Sequence, residues 1–104
     1  MGIETTQQGS TARVALTGEL TIYSAAEVKA GLAEAMAVAA EIEVDLSGVT
    51  EMDTAGLQLM LIAKRNPGKE VRFTNHTPAV LRLVDLANLG GMLGDPLVIS
   101  ASES

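Results

Sequence analysis

Short β-prone segments alternate with helical segments along this chain of 104 residues, and no other feature constrains its fold as much. The segment 42–46, IEVDL, alternates apolar and acidic residues with a period of two, which is typical of a half-buried strand. A helix between two strands acts as a crossover, which brings the strands into parallel pairing and places the helix over a face of the sheet. The order β-β-α-β-α-β-α-β therefore predicts an α/β fold with a sheet of four or five strands and three main helices.

The predicted strands end at turn-forming residues. They cover 13–17, closed by Gly18; 42–46, closed by a turn at Ser47-Gly48; 71–74; and 97–99, with 3–6 as a weaker edge strand.

The first helix is predicted to begin at Ser24, which forms a capping box with Glu27, and to run to about Ala40. Its apolar residues recur at spacings of three and four, which predicts one stripe facing the core. That stripe consists of Val28, Leu32, Ala35, Met36 and Ala39.

Two further helices follow from capping and breaking residues. The second covers 55–65 and begins at Asp53 or Thr54. The third begins at Thr77-Pro78 and runs to about Asn88, where Gly90-Gly91 ends it.

Length and composition restrict the functions that this chain can perform. We expect one domain, 1–104, because half of this length is too short for an independent core. Thirteen acidic residues against seven basic ones give a net charge of −6, which disfavours nucleic acid as a partner. No signal peptide and no apolar stretch of membrane-spanning length is present, so we expect a cytoplasmic protein without membrane insertion.

The residues needed for catalysis are scarce. The chain has no cysteine and a single histidine, His76, which we expect to be a solvated loop residue. Neither a cysteine-based metal centre nor a thiolate nucleophile is available. We therefore expect no enzyme, no catalytic residue, no metal, no cofactor and no small-molecule substrate.

The most informative segment is 45–57, in which a strand leads into a helix that begins on Asp53-Thr54. The Thr54 hydroxyl can cap the helix there, and a phosphate on it would meet free amide groups and the positive end of the helix dipole. Gly56 falls in the first helical turn, where it costs about 0.8–1 kcal/mol relative to alanine. Its presence indicates that another group, internal or from a partner, packs closely against the backbone.

Three segments of the chain resemble the STAS domain family, which includes bacterial anti-sigma factor antagonists and cytoplasmic domains of sulfate transporters. The segment 18–25 resembles the family's Gly-Glu-hydrophobic-Asp segment, with Thr21 where aspartate is usual. The segment 53–57, DTAGL, resembles its Asp-Ser-Ser/Thr-Gly-Leu signature, and 78–89 resembles its third helix.

The resemblance implies an anti-sigma factor antagonist-type STAS fold, with a mixed sheet of four or five strands, and a bacterial signalling module that binds an anti-sigma factor or a serine/threonine kinase-like protein. It also implies that the hydroxyl after the aspartate is the phosphorylation site, which is Thr54 here. The partner-binding residues that it implies are Asp53, Thr54, Ala55, Gly56, Tyr23 and Ser24.

Two alternatives stand beside this hypothesis. The first is a constitutive STAS subunit of a transporter or chemoreceptor-type assembly, because Thr54 replaces the commoner serine and Ala55 removes a neighbouring hydroxyl. The family's lipid-transport STAS subunit also carries threonine at this position. The second, an enzyme or nucleotide-binding domain, is disfavoured because the chain lacks a nucleophile–base pair and a phosphate-binding glycine pattern.

Overall fold

The computed structural model describes residues 1–86 as four strands and three helices. The strands are β1 (Gly2–Gln8), β2 (Thr11–Leu20), β3 (Glu41–Met52) and β4 (Glu70–Thr74). The helices are α1 (Ala25–Val38), α2 (Thr54–Lys64) and α3 (Pro78–Leu86). The strand expected at 97–99 and the glycines expected to end the third helix lie outside the described residues.

The four strands form one mixed sheet in the order β1-β2-β3-β4. β1 pairs with β2 in antiparallel orientation, which confirms the predicted edge strand. β2 and β4 both pair with β3 in parallel orientation, which confirms that α1 and α2 are crossover connections.

One face of the sheet carries the core. The inward residues of β2 and β3, such as Val14 and Val44, are fully buried. The predicted stripe of α1 packs on this face: Val28, Leu32, Ala35 and Ala39 are buried and Met36 is partly buried against them. The other face of the same strands carries mostly polar side chains, including Arg13, Glu43 and Arg72 in one register row.

Both central strands continue past the glycines that were expected to end them. β2 runs through Gly18 and β3 runs through Ser47-Gly48, so these two predicted strand ends are wrong. The pairing of β2 with β3 shifts register between Ala15 and Thr17, next to Gly48. A Cβ atom on Gly48 would lie 2.5 Å from the Thr17 side chain, so this residue marks an irregularity inside the strand pair, where two backbones approach closely.

A polar network joins β3 to the loop that precedes α3. The Asp45 carboxylate accepts hydrogen bonds from Arg13 Nη2 at 2.6 Å, the Ser47 amide at 2.9 Å and Asn75 Nδ2 at 3.1 Å. Burial raises the pKa of Asp45, but the hydrogen bonds from Ser47 and Asn75 and the charge of Arg13 outweigh it, so the pKa lies below its ordinary value.

The expectation that His76 is solvated is wrong, because its side chain is completely buried. Asn75 before it adopts a positive φ of 57°, and Thr77 after it caps α3 through a contact of 3.4 Å from the Val80 amide to Thr77 Oγ1. The chain therefore turns inward between β4 and α3, which brings the imidazole into the interior.

Candidate partner-binding site

The candidate site lies where the carboxyl ends of β2 and β3 meet. Leu20 and Met52 are register partners, and the Asp53 amide donates a hydrogen bond of 3.3 Å to the Leu20 carbonyl. The loop after β2 and the first turn of α2 are consequently neighbours. This confirms the expectation, made from the order of the segments, that residues 23–24 and Thr54 border the same edge of the sheet.

Asp53 caps α2. Its Oδ1 accepts hydrogen bonds from the Ala55 amide at 2.9 Å and the Gly56 amide at 3.2 Å, while Oδ2 accepts one from the Ile22 amide at 3.1 Å. The sequence allowed either Asp53 or Thr54 to cap this helix, and the structure shows that Asp53 does so. Its carboxylate stabilises the helix start and also ties the β2–α1 loop to it.

Thr54 is the first residue of α2 and is exposed to solvent. Within residues 1–86 its hydroxyl makes no hydrogen bond. The expectation that free amides would meet a phosphate at this point is wrong for Ala55 and Gly56, because Asp53 already accepts from both. A phosphate on the exposed Thr54 would therefore lie next to two first-turn amides, those of Ala55 and Gly56, that already donate to Asp53.

Gly56 is buried, and its close neighbours are internal. A Cβ atom at this position would lie 2.6 Å from the Leu20 carbonyl oxygen, 2.9 Å from Leu20 Cγ and 3.0 Å from Met52 Cγ. The close approach that the sequence indicated is thus between α2 and the ends of β2 and β3.

Ser24 has a structural position in the β2–α1 loop. It is buried, its hydroxyl donates to the Glu19 carbonyl at 2.8 Å, and it accepts from the Thr21 amide at 3.0 Å. Ser24 makes no side-chain cap to α1, so the predicted capping box with Glu27 is wrong. The hydroxyl thus links the two ends of a tight loop, and the two residues between Thr21 and Ser24 point their side chains outward.

Those two side chains are Ile22 and Tyr23, which are 66% and 96% exposed. Tyr23 is one of the contact residues expected from the sequence, and Ile22, which was not among them, is exposed beside it. The signal that could have identified Ile22 is its position next to Tyr23 in a short strand-to-helix loop, where two large adjacent side chains have little room to be buried. Together with Thr54 and the half-buried Ala55 they form what we call the Thr54 surface, which comprises Ile22, Tyr23, Thr54 and Ala55.

The described part of the chain lacks two other features, a cluster of metal ligands and a membrane-spanning helix. No group of three or more acidic or histidine side chains within residues 1–86 is placed to hold a metal ion. No helix in that part of the chain is long and apolar enough to cross a membrane.

The architecture defines the class: an α/β domain with helices on one face of a mixed sheet and an Asp-capped helix at the strand ends. The family model described as Mlab, STAS domain matches residues 3–98. The chain therefore belongs to the STAS domain family. No curated protein sequence matches it.

Solved structures of anti-sigma factor antagonists share the fold. The antagonist from Mycobacterium paratuberculosis superposes with a TM-score of 0.78 at 19% identity, covering 93% of this chain and 84% of its own. The Bacillus cell fate determinant SpoIIAA in its phosphorylated form superposes with a TM-score of 0.68 at 19% identity, covering 98% of this chain and 93% of its own. SpoIIAA in its unphosphorylated form gives a TM-score of 0.63 at 15% identity, covering 97% and 90%.

Proposed function

We propose that this protein binds an anti-sigma factor or a related serine/threonine kinase-like protein through the Thr54 surface, and that phosphorylation of Thr54 releases the partner. The protein acts as a binding module of the cytoplasm, formed by residues 1–104 as one domain. The observation that carries the proposal is the exposed hydroxyl of Thr54 at the first turn of α2, flanked by the exposed apolar side chains of Ile22 and Tyr23.

The hydrogen bonds of Asp53 explain why a phosphate would release the partner. A phosphothreonine carries about 1.5 to 2 negative charges at neutral pH. The amides of Ala55 and Gly56 are already bound to Asp53, so they offer the phosphate no compensation. Burial of that charge against the apolar Ile22 and Tyr23 inside an interface is therefore costly, whereas burial of the neutral hydroxyl is cheap.

Nearby carboxylates add to this effect. Glu19 and Glu51 are register partners at the ends of β2 and β3, and both are exposed. Together with Asp53 they make the end of the sheet negative before any modification. A phosphate on Thr54 increases the repulsion among these groups and from any carboxylate that a partner places there.

The likeness to SpoIIAA supports the proposal, since structures of that antagonist in a phosphorylated and in an unphosphorylated form both superpose on this chain. In this chain the acceptor is threonine and the next residue, Ala55, has no hydroxyl. Thr54 is then the only acceptor that the DTAGL segment offers to a kinase.

A second candidate function is a constitutive subunit of a transporter or chemoreceptor-type assembly, held by the same surface and never phosphorylated. Threonine in place of the commoner serine favours it, and the matching family model is the Mlab type of STAS domain. The two functions differ in one property, namely whether a negative charge at position 54 changes binding.

The test is a pull-down from native lysate with four baits, followed by identification of the captured proteins. The baits are the wild type, Thr54→Ala, Thr54→Glu and the control Thr6→Glu, which adds the same charge on the exposed edge strand β1. The proposal predicts that a kinase-like anti-sigma factor is captured by all baits except Thr54→Glu. It also predicts that incubation of the wild type with that kinase and ATP adds one phosphoryl group at Thr54 by intact mass.

Capture of a transporter or receptor component by all four baits would support the constitutive subunit instead. An accessible Thr54 that gains no phosphate from the captured kinase would contradict the switch.

A further inference from the structure

A solvent-open groove runs between α1 and α2 and begins directly beside the Thr54 surface. Its proximal hollow, of about 230 Å³, is lined by Ala26 and by Ala55, which follows Thr54 in the chain. Its distal hollow, of about 110 Å³, is lined by Ala33, Met36 and Asn66. The groove is thus continuous with the surface to which the proposed function assigns the partner.

Three residues line both hollows and join them into one groove, namely Lys29, Leu59 and Ile62. Leu59 is buried, whereas Ile62 is 57% exposed. An exposed isoleucine between two hollows lined by alanine and leucine forms an apolar strip along the two helices. Apolar strips of this kind receive the apolar face of another helix in helix-in-groove recognition.

Lys29 is the cation of this strip. It is exposed, it forms no ion pair within residues 1–86, and it belongs to a chain with a net charge of −6. An ammonium group that lines both hollows favours an occupant with a carboxylate at the edge of its apolar face.

The spacing of the hollows sets the pattern of the occupant. Along α2 and the residues just after it, the lining shifts by four residues, about one helical turn, from Ala55, Gln58, Leu59 and Ile62 in the proximal hollow to Leu59, Ile62, Ala63 and Asn66 in the distal one. Residues one turn apart on a helix lie on the same face at positions i and i+3 or i+4. Two apolar side chains with this spacing can fill one hollow each.

We propose that the α1–α2 groove receives an amphipathic helix of the partner protein, with apolar residues one turn apart in the two hollows and a carboxylate paired with Lys29. This inference rests on the proposed function, because it extends the Thr54 surface along the same partner. In this arrangement the groove contributes the part of the partner's affinity that does not depend on Thr54. The Thr54 surface contributes the part of the affinity that phosphorylation controls.

Photo-crosslinking in the cells from which the protein derives tests the proposal. Benzoylphenylalanine replaces Asn66 at the distal hollow, Tyr23 at the Thr54 surface, or Thr6 on β1 as the control position. We expect the probes at 66 and 23 to label the same partner and the probe at 6 to leave it unlabelled. The peptide linked to position 66 should carry apolar residues one turn apart and an Asp or Glu at the edge of that apolar face, three or four residues from one of them.

Charge reversal gives the second readout. We expect Lys29→Glu to lower the crosslinking yield at position 66 by about tenfold or more, because it opposes like charges in the interface. The control Arg82→Glu makes the same charge change at an exposed position of α3 and should leave the yield unchanged. Circular dichroism verifies that both variants are folded.

The outcomes separate the inference from the proposed function. Labelling of a partner from position 23 but not from position 66 overturns the groove proposal and leaves the proposed function standing. No labelling from either position overturns both. Labelling of a second copy of this chain from position 66, or equal yields for Lys29→Glu and Arg82→Glu, overturns the helix-in-groove assignment.

Discussion

The Asp53 carboxylate is hydrogen-bonded to the Ile22 amide across two elements of the fold: Oδ2 accepts from the Ile22 nitrogen at 3.1 Å while Oδ1 caps α2. One side chain therefore holds both parts of the Thr54 surface, the exposed β2–α1 loop and the start of the helix. The carboxylate accepts hydrogen bonds from three backbone amides. The aspartate of the DTAGL segment therefore fixes the position of the backbone next to the exposed Thr54 hydroxyl.

Replacement of Asp53 separates its two roles. We expect Asp53→Ala to lower the free energy of unfolding by about 1–2 kcal/mol, because an N-cap is lost. Asp53→Asn should lower the free energy of unfolding by only about a few tenths of a kcal/mol, because asparagine caps helices as well as aspartate does. Its single side-chain oxygen cannot, however, accept hydrogen bonds from both the Ile22 amide and the helix amides. Urea denaturation measures the first effect, and hydrogen exchange at the Ile22 amide should become faster in both variants. Equal stability loss in the two variants would contradict this division.

Two helical glycines should respond in opposite directions to alanine. Gly56→Ala should destabilise the protein by about 1–3 kcal/mol, because its Cβ would overlap the Leu20 carbonyl, 2.6 Å away. Gly31→Ala is the matched control in α1, where the Cβ would meet Ile3 side-chain atoms at 3.4 and 3.5 Å. There we expect a gain of about 0.5–1 kcal/mol from helix propensity. Thermal denaturation checks both, and a neutral Gly56→Ala would refute the close contact.

The Asp45 network predicts a dependence of stability on pH. Because the pKa of Asp45 is lowered in the folded protein, its stabilisation is fully present above the unfolded-state pKa of about 3.9 and is lost as the pH falls through the folded-state value. We expect Asp45→Asn to cost about 1–3 kcal/mol near neutral pH and progressively less as the pH is lowered below 4. Glu43→Gln, on the same face of β3, should change stability at neutral pH by only about 0.5 kcal/mol or less. Urea denaturation across this pH range provides the measurement, and a cost of Asp45→Asn that does not change with pH would be the contrary result.

Tyr23 and Ser24 are adjacent, yet their replacement should have different consequences. Tyr23 is 96% exposed, so we expect Tyr23→Ala to change stability by about 0.5 kcal/mol or less and to weaken partner binding by about 1 kcal/mol or more. Ser24→Ala removes the hydroxyl that bonds to Glu19 and Thr21, and should cost about 1–3 kcal/mol of stability. Parallel denaturation and binding assays distinguish the two, and a destabilised Tyr23→Ala would argue against a contact role.

The alternation of strand and helix signals predicted the order of the elements over residues 1–86, and two of those elements, the segment 42–46 and the first helix, carry a clear periodicity. The stripe of α1 at Val28, Leu32 and Ala35 is an example. The ends of the strands were harder to predict. A glycine such as Gly48 signals a turn and an irregularity in a strand equally well, and only the approach of Thr17 from the neighbouring strand decides between them.

The site shows the same limit. The sequence located the junction at Asp53-Thr54, but both residue types cap helices well, and the choice of Asp53 depends on geometry that includes the distant Ile22 amide. His76 was misassigned for a related reason: its local sequence is polar, while its burial follows from how the loop between β4 and α3 turns inward. Contacts between residues far apart in sequence leave no periodic signal.

The measurement that tests the central claim most directly is the affinity of the captured partner for this protein with and without a phosphoryl group on Thr54. Isothermal titration calorimetry would compare the unmodified protein with one that carries phosphothreonine at position 54, with Thr6→Glu as the control for added charge. The account predicts that phosphorylation weakens binding by about tenfold or more, since the interface must then bury a charge that the amides of Ala55 and Gly56 do not compensate. An affinity that phosphorylation leaves unchanged or increases would contradict it.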